Sequence, residues 1–540
     1  MRLHLPWYRA ILSGVTETPA KTWIRPAAGL TAICLAVWTT GCTSSVVVLG
    51  TSTGTHTNEW TWVGGSSVIP PLEIADPGPP GVYGTLGVTD AANIPGGRYF
   101  ATSWTDNQGN FWLFGGAGED ENETFGSLND LWEFNVASKE WAWMSGSNTI
   151  PLYNGGQPGV YGQMGTPGAK NTPGGRTGAF GWTDQQGNLW LFGGGGVDST
   201  GKAGYLNDLW EYNIAGGEWT WIGGSSTVGG SDSVAGVYGT QGSLTSGSYP
   251  GGRSFGFAWT DQKGNFWMFG GDGADAQGQL GELNDLWKFV PSTRQWAWMS
   301  GSSTGGSFGN YGQLHTPASG NTPGARDNPA GWVDASGNLW LFGGIGYASI
   351  SGASGSTLNG FLNDLWEFSP TTNQWAWMGG SNQITNSCHA TDGSPCGSVG
   401  VSGSMGKPSP TTIPGGRFAP VVWVDSTGNA WLMGGEGFGA TDTAGFLNDL
   451  WEFNPTTNEW AWMGGPSAVS GSGGESGIYG MLGVASAGDI PGGRYGAAGW
   501  TGADGSLWLI GGGGPDANGA FGYLNDFWEY GESSLRPASQ

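Results

Sequence analysis

The chain has 540 residues and a formal charge of −24 with no basic run anywhere, which argues against a nucleic-acid binder that must neutralise phosphates. Charged residues are only 11%, while 107 glycines and 33 tryptophans are extreme against ordinary usage. Regularly spaced aromatics exclude a disordered chain, and the acidity is expected to keep a tryptophan-rich surface soluble.

At the start, Arg2, Arg9, Lys21 and Arg25 precede an apolar stretch from Ala27 to Trp38, followed by Thr39-Thr40-Gly41-Cys42. The stretch is too short for a stable transmembrane span and suits a signal-peptide core. Gly41 before Cys42 resembles the cleavage box of bacterial lipoproteins, which implies that Cys42 becomes the lipidated first residue. Thr39 departs from the Leu usual in that box, so a plain secretory signal is the second reading and a misplaced start or uncleaved anchor the third. Thr43 after the cysteine implies, by the same resemblance, the outer membrane rather than the inner one. Residues 1–42 are therefore read as leader and 43–58 as tether. The protein is expected to be exported, as an outer-membrane lipoprotein or free in the periplasm or medium. Its only membrane contact would be the lipid on Cys42, and a monomer is expected.

From residue 59 to 531 one pattern recurs six times: Pro-Gly-Gly-Arg, a Trp, Trp-Leu-Phe-Gly-Gly, Leu-Asn-Asp-Leu-Trp-Glu-Phe, Trp-Ala-Trp-Met. Its arginine falls at Arg98, Arg176, Arg253, Arg326, Arg417 and Arg494. Each repeat holds four short apolar runs, which in the first are Tyr99 to Trp104, Phe111 to Phe114, Leu131 to Phe134 and Trp141 to Met144. Trp132/Phe134 and Trp141/Trp143 are spaced for one side of a strand, and the links between runs have hairpin length. Four antiparallel strands make one twisted blade, and blades arranged radially bury each other. The segment Glu59-Trp60-Thr61-Trp62 is a fourth strand with no blade before it, while Trp528-Glu529-Tyr530 is a third strand with none after it. The first strand is thus expected to complete the last blade. The prediction is an all-β, six-bladed propeller closed by an N-terminal fourth strand, with 532–540 as a tail.

A hydrophobic-Gly-Gly and then an aromatic seven residues before Trp resembles the kelch repeat. Phe368-Ser-Pro-Thr-Thr-Asn-Gln-Trp375 and Phe453-Asn-Pro-Thr-Thr-Asn-Glu-Trp460 carry the likeness. It speaks to fold and not to activity, because propellers host unrelated functions. Among kelch propellers, those resembling galactose oxidase need two histidines, two tyrosines and a cysteine at copper. After its leader this chain has only His56, His315 and His389, so no copper site is expected. The six-bladed sialic-acid-mutarotase type is a better match in blade number and export, and that chemistry needs acid and base groups beside an arginine.

Repeat spacing exceeds the kelch norm because long Gly/Pro/Ser-rich inserts join each fourth strand to the next first strand. Five carry an aromatic turn, at Tyr83, Tyr161, Tyr238, Tyr311 and Tyr479, while the remaining one has Cys388 and Cys396 instead. In an exported protein that pair is expected to form a disulfide. The inserts and the links from second to third strand emerge on one face, which is the expected recognition face. The fourth repeat's excursion from Ile345 to Phe361 breaks the symmetry there.

The insert tyrosines and the six arginines are the ligand-binding candidates, the arginines as a cationic ring. The competing and favoured reading pairs each arginine with the Asp of Leu-Asn-Asp: Asp130, Asp208, Asp285, Asp364, Asp449 and Asp526. Tryptophans are assigned to packing between blades. Glu119-Asp120-Glu121 and Asp272-Gly-Ala-Asp275 lack the spacing of a calcium loop, so neither metal nor cofactor is expected. With no catalytic set visible, the expected function is non-catalytic binding of a glycan or protein partner by the long-loop face. A mutarotase-type enzyme and an architectural envelope protein are the alternatives.

Overall fold

The computed structural model describes residues 59–531, apart from 72–77, 152–154, 231, 350–358, 385–395, 470 and 472. The leader, Cys42, the tether and the tail lie outside the described residues, as does Cys388. The described chain is all β, with no helix, and antiparallel four-stranded sheets repeat along it in the manner of a β-propeller. The first repeat's sheet runs Thr102–Thr105, Phe111–Phe114, Leu131–Asn135 and Glu140–Ser145 in that order. Further along, Thr183 ends a strand that leads into Leu189–Val197, Ala203–Asn213 and Glu218–Gly223 in the same order. The segment Glu59–Gly64 is the outer strand beside Phe521–Gly531, with Trp60 opposite Tyr530 and Trp62 opposite Trp528.

Second strands such as Phe111–Phe114 are buried along their whole length. That explains their unbroken apolar sequence, because each face of the sheet lies against a neighbouring repeat. Leu113 stands opposite Trp132, while Phe111 stacks on Trp500 at 5.3 Å and Trp112 meets Tyr212 at 5.8 Å. Hydrogen bonds reinforce this packing. The first-strand indoles of Trp104, Trp182, Trp259 and Trp423 donate to the second-strand carbonyls of Trp190, Trp267, Trp340 and Trp508. Trp500 donates likewise to Trp112 O, from the last repeat to the first. Truncating a buried tryptophan to alanine typically costs about 3–5 kcal/mol, so these side chains dominate the body's stability.

The glycine pair bends the second strand. Gly115 and Gly116 have φ of 63° and 92°, and a Cβ on Gly115 would lie 2.8 Å from Arg176 O of the next repeat. Only glycine permits both the left-handed backbone and that approach. The first strand also differs from the expected Tyr99 to Trp104 run. It breaks into Arg98–Tyr99 and Thr102–Thr105 because Phe100 turns to a φ of 54°.

The residues equivalent to Phe100 are Gly178, Phe255, Asn328, Ala419 and Gly496, and all have left-handed φ. Phe100 N donates to Gly496 O, Gly178 N to Phe100 O and Phe255 N to Gly178 O. Asn328 N donates to Phe255 O, Ala419 N to Asn328 O and Gly496 N to Ala419 O, which returns the run to its start. Four of these residues are not glycine, and each such backbone costs of order 1 kcal/mol, a strain the surrounding hydrogen bonds sustain.

Candidate functional site

Two kinds of position meet where the inserts end and the first strands begin, the end of the repeats termed the mouth. The first kind is the same in every repeat. Arg98, Arg176, Arg253, Arg326, Arg417 and Arg494 each make a bidentate pair with the Asp of Leu-Asn-Asp. Arg98 reaches the two oxygens of Asp130 at 2.8 and 2.7 Å, with both side chains buried. Its Nε donates to Gly96 O and its Nη1 also to Gly115 O.

The insert tyrosines join the same carboxylates. Tyr83, Tyr161, Tyr238, Tyr311 and Tyr479 donate to Asp130, Asp208, Asp285, Asp364 and Asp526. The Leu-Asn-Asp-Leu-Trp indole adds a further donor, as Trp132 Nε1 does to Asp130 Oδ2 at 2.7 Å. Burial, and then the Asp130 charge, hold the Tyr83 hydroxyl well above the usual phenol range. Burial pulls the Arg98 guanidinium down, but Asp130 more than offsets it. The candidate tyrosines and arginines are thus brought together in five repeats, inside the wall of the body. In the fifth repeat Ser402 stands at the tyrosine position, and its buried Oγ meets no hydrogen-bond partner among the described residues.

The acidic link residues serve a local purpose. Asp120 accepts from the backbone N–H of Asn122 and Thr124, and its second oxygen from Ile150 N in the insert. Asp275 does the same with Gln277, Gln279 and Gly305. These carboxylates cap a turn and hold the following insert to it. Among the described residues no group of three or more His, Cys, Asp or Glu is arranged to hold a metal ion. Cys396 is disulfide-bonded, and its carbonyl accepts from Phe361 N at 2.8 Å. Of the excursion from Ile345 to Phe361 only the two ends are described, paired as Ile345 with Phe361 and Tyr347 with Asn359.

The second kind of position differs from repeat to repeat. Directly after the six arginines come Tyr99, Thr177, Ser254, Asp327, Phe418 and Tyr495. Three of these stack on the third strand of the preceding repeat: Tyr99 on Tyr523 at 4.6 Å, Phe418 on Phe361 at 5.7 Å and Tyr495 on Phe446 at 5.5 Å. Phe446 also meets the exposed Phe521, and Phe100 meets both Phe255 and Tyr495. One sector of the mouth is therefore aromatic.

The other sector is acidic. Asp272 stands opposite Glu282 in register and accepts from Tyr205 OH at 2.6 Å. Glu282 accepts from Asn359 of the next repeat at 3.0 Å, and Asn328 Nδ2 lies 3.2 Å from Asp327 Oδ1. Burial, Asp272 and Glu282 together push the Asp327 carboxyl well up. Across the mouth Glu436 stands between Phe418 and Phe446 in register, and burial raises its carboxyl to about 7.

Asp327, Glu282, Glu436 and the mouth aromatics were not among the expected ligand residues. The signal for them lay in three variable columns, after each arginine, after each glycine pair and before each Leu-Asn-Asp, which repeat nothing and so escape a search for motifs. No protein-family model matches the chain, and no curated protein matches it in sequence.

Proposed function

We propose that the chain is an exported six-bladed propeller of kelch type, closed by its N-terminal strand, that binds a glycan at the mouth on its insert-bearing face. Six sheets of four or five strands, the returning run of backbone hydrogen bonds through Phe100, and the bond from Trp500 to Trp112 support the ring. One observation carries the binding reading: the mouth is where the repeats disagree, with stacked rings on one side and carboxylates on the other. Aromatic faces pack against sugar C–H groups, and carboxylates accept from sugar hydroxyls. The buried arginine and tyrosine sets serve the scaffold in this reading.

The test is a glycan array probed with the purified protein and with Tyr99→Ala/Tyr495→Ala. Binding to a defined set of glycans, weakened at least ten-fold in the double variant with an unchanged unfolding midpoint, is expected. A blank array at millimolar glycan would contradict the reading and favour an architectural role.

A second reading has an observation of its own. Glu436, neutral for part of the physiological pH range, is suited to general-acid chemistry on a bound sugar. NMR exchange spectroscopy on sugars bound at the mouth decides it. Accelerated anomer interconversion that Glu436→Gln abolishes would make the protein a mutarotase-type enzyme, and its absence leaves a binder.

A further inference from the structure

We infer that the acidic sector of the mouth, where Asp327 of the fourth repeat meets Glu282 and Asp272 of the third, is a subsite for a protonated primary amine carried by a saccharide. This deepens the glycan-binding reading and rests on it.

The comparison between repeats comes first. At the same place in three other interfaces an aromatic ring follows the arginine and stacks on an aromatic ring of the preceding repeat. Here a carboxylate faces a carboxylate, which packing alone would disfavour because like charges repel. Asn359 of the fourth repeat bonds Glu282 of the third, which fixes the two repeats' acidic residues on a common front.

Among the described residues, the basic side chains of these two repeats are distant or committed. Arg253 and Arg326 are fully buried against Asp285 and Asp364. Lys288 lies over the Trp267 ring at 5.4 Å, and Arg294 sits in the turn after Val290, at the far end of the strands. No Lys or Arg occurs between Arg326 and Lys407.

Ser254 supplies an independent observation. It is the register partner of Asp272, so its side chain projects from the face that carries Asp272 and Glu282. It is fully buried, and its Oγ has no hydrogen-bond partner among the described residues. A buried hydroxyl left unpaired is costly unless a ligand atom completes it.

An ammonium fits this chemistry. It offers three donors to separate oxygens, which suits carboxylates from different strands better than a metal's compact shell. The Tyr205 ring, whose hydroxyl bonds Asp272, adds an aromatic wall against which a cation is further stabilised. A bound ammonium would also offset the burial, and after it the Asp272 and Glu282 charges, that now push the Asp327 carboxyl up.

Calorimetric titration with a β-1,4-linked glucosamine hexamer and its fully N-acetylated counterpart tests the subsite. The free-amine hexamer is expected to bind at least ten-fold more tightly. Glu282→Gln/Asp327→Asn should erase that preference, so that the two hexamers bind the variant equally, and keep or raise the unfolding midpoint. Equal affinities, or a preference that survives in the double variant, overturn the amine subsite while leaving glycan binding in place. Binding of neither hexamer also overturns it, and a blank array would then remove the glycan reading as well.

Discussion

Asp285 receives hydrogen bonds from Arg253 Nη1 and Nη2, Tyr238 OH and Trp287 Nε1, all within a buried site. Asp285→Ala would leave a guanidinium buried without its partner, and we expect a loss of about 3–5 kcal/mol in urea unfolding. Tyr238→Phe removes one hydrogen bond to a charged group and is expected to cost about 1.5–3 kcal/mol. A loss below about 1 kcal/mol for the aspartate variant would contradict a structural role for the set. Glu436 gives a pH signature. Its folded carboxyl titrates near 7 against 4.5 ordinarily, so its contribution is fully present below pH 4.5 and is lost as pH rises through about 7. Glu436→Gln should therefore flatten the decline in unfolding free energy between those pH values, and an unchanged slope would contradict the raised carboxyl. The arginine–aspartate pairing could be read from sequence because both residues recur in every repeat. The tyrosine's target could not, since Tyr238 and Asp285 are 47 residues apart and no pattern ties an insert turn to a strand.

Strands and their order follow from the alternation of tryptophans, whereas the breaks within strands do not. Phe100 adopts a left-handed backbone that no propensity anticipates, imposed by hydrogen bonds to two other repeats. The inserts are similarly half legible. Their aromatic turns are visible, but the ring's place against Trp132 and Trp143 depends on the fold. In the fifth insert Ser402 lacks that ring. Ser402→Tyr should place a phenol by Trp451 and Trp462 with its hydroxyl on Asp449, and raise the unfolding midpoint by several degrees. A lowered midpoint would show that the insert has repacked over the gap. Asp489 offers a second element-level check. Its counterparts Asn93, Asn171 and Asn321 donate to fourth-strand carbonyls at Trp141, Trp219 and Trp375. Asp489 occupies that position next to Trp60, and its Oδ2 has no partner among the described residues. Asp489→Asn is expected to restore the donor and stabilise the outer strand Glu59–Gly64, read as slower hydrogen exchange there. Unchanged exchange would contradict it.

Across the whole molecule, identical residues hold repeat to repeat, and differing residues collect at the mouth. Removing residues 59–64 would bare the edge of Phe521–Gly531, a long strand with unpaired backbone groups, and aggregation with loss of cooperative unfolding is expected. A soluble, cooperatively unfolding product would contradict the proposed ring. Six recurring patterns and a displaced fourth strand made the repeated sheets, and the pairing of Glu59–Gly64 with Phe521–Gly531, readable from sequence. The mouth was hidden because its residues come from different repeats and share no motif. Affinity and unfolding midpoint measured together on two sets of variants test the division most directly. One set alters the mouth, Tyr99→Ala, Tyr495→Ala and Asp327→Asn; the other alters the wall, Tyr83→Phe, Tyr238→Phe and Asp285→Ala. The account predicts that mouth variants lose glycan affinity at a constant midpoint, while wall variants lose midpoint at a constant affinity per folded molecule. Wall variants that abolish binding while keeping the wild-type midpoint would contradict it.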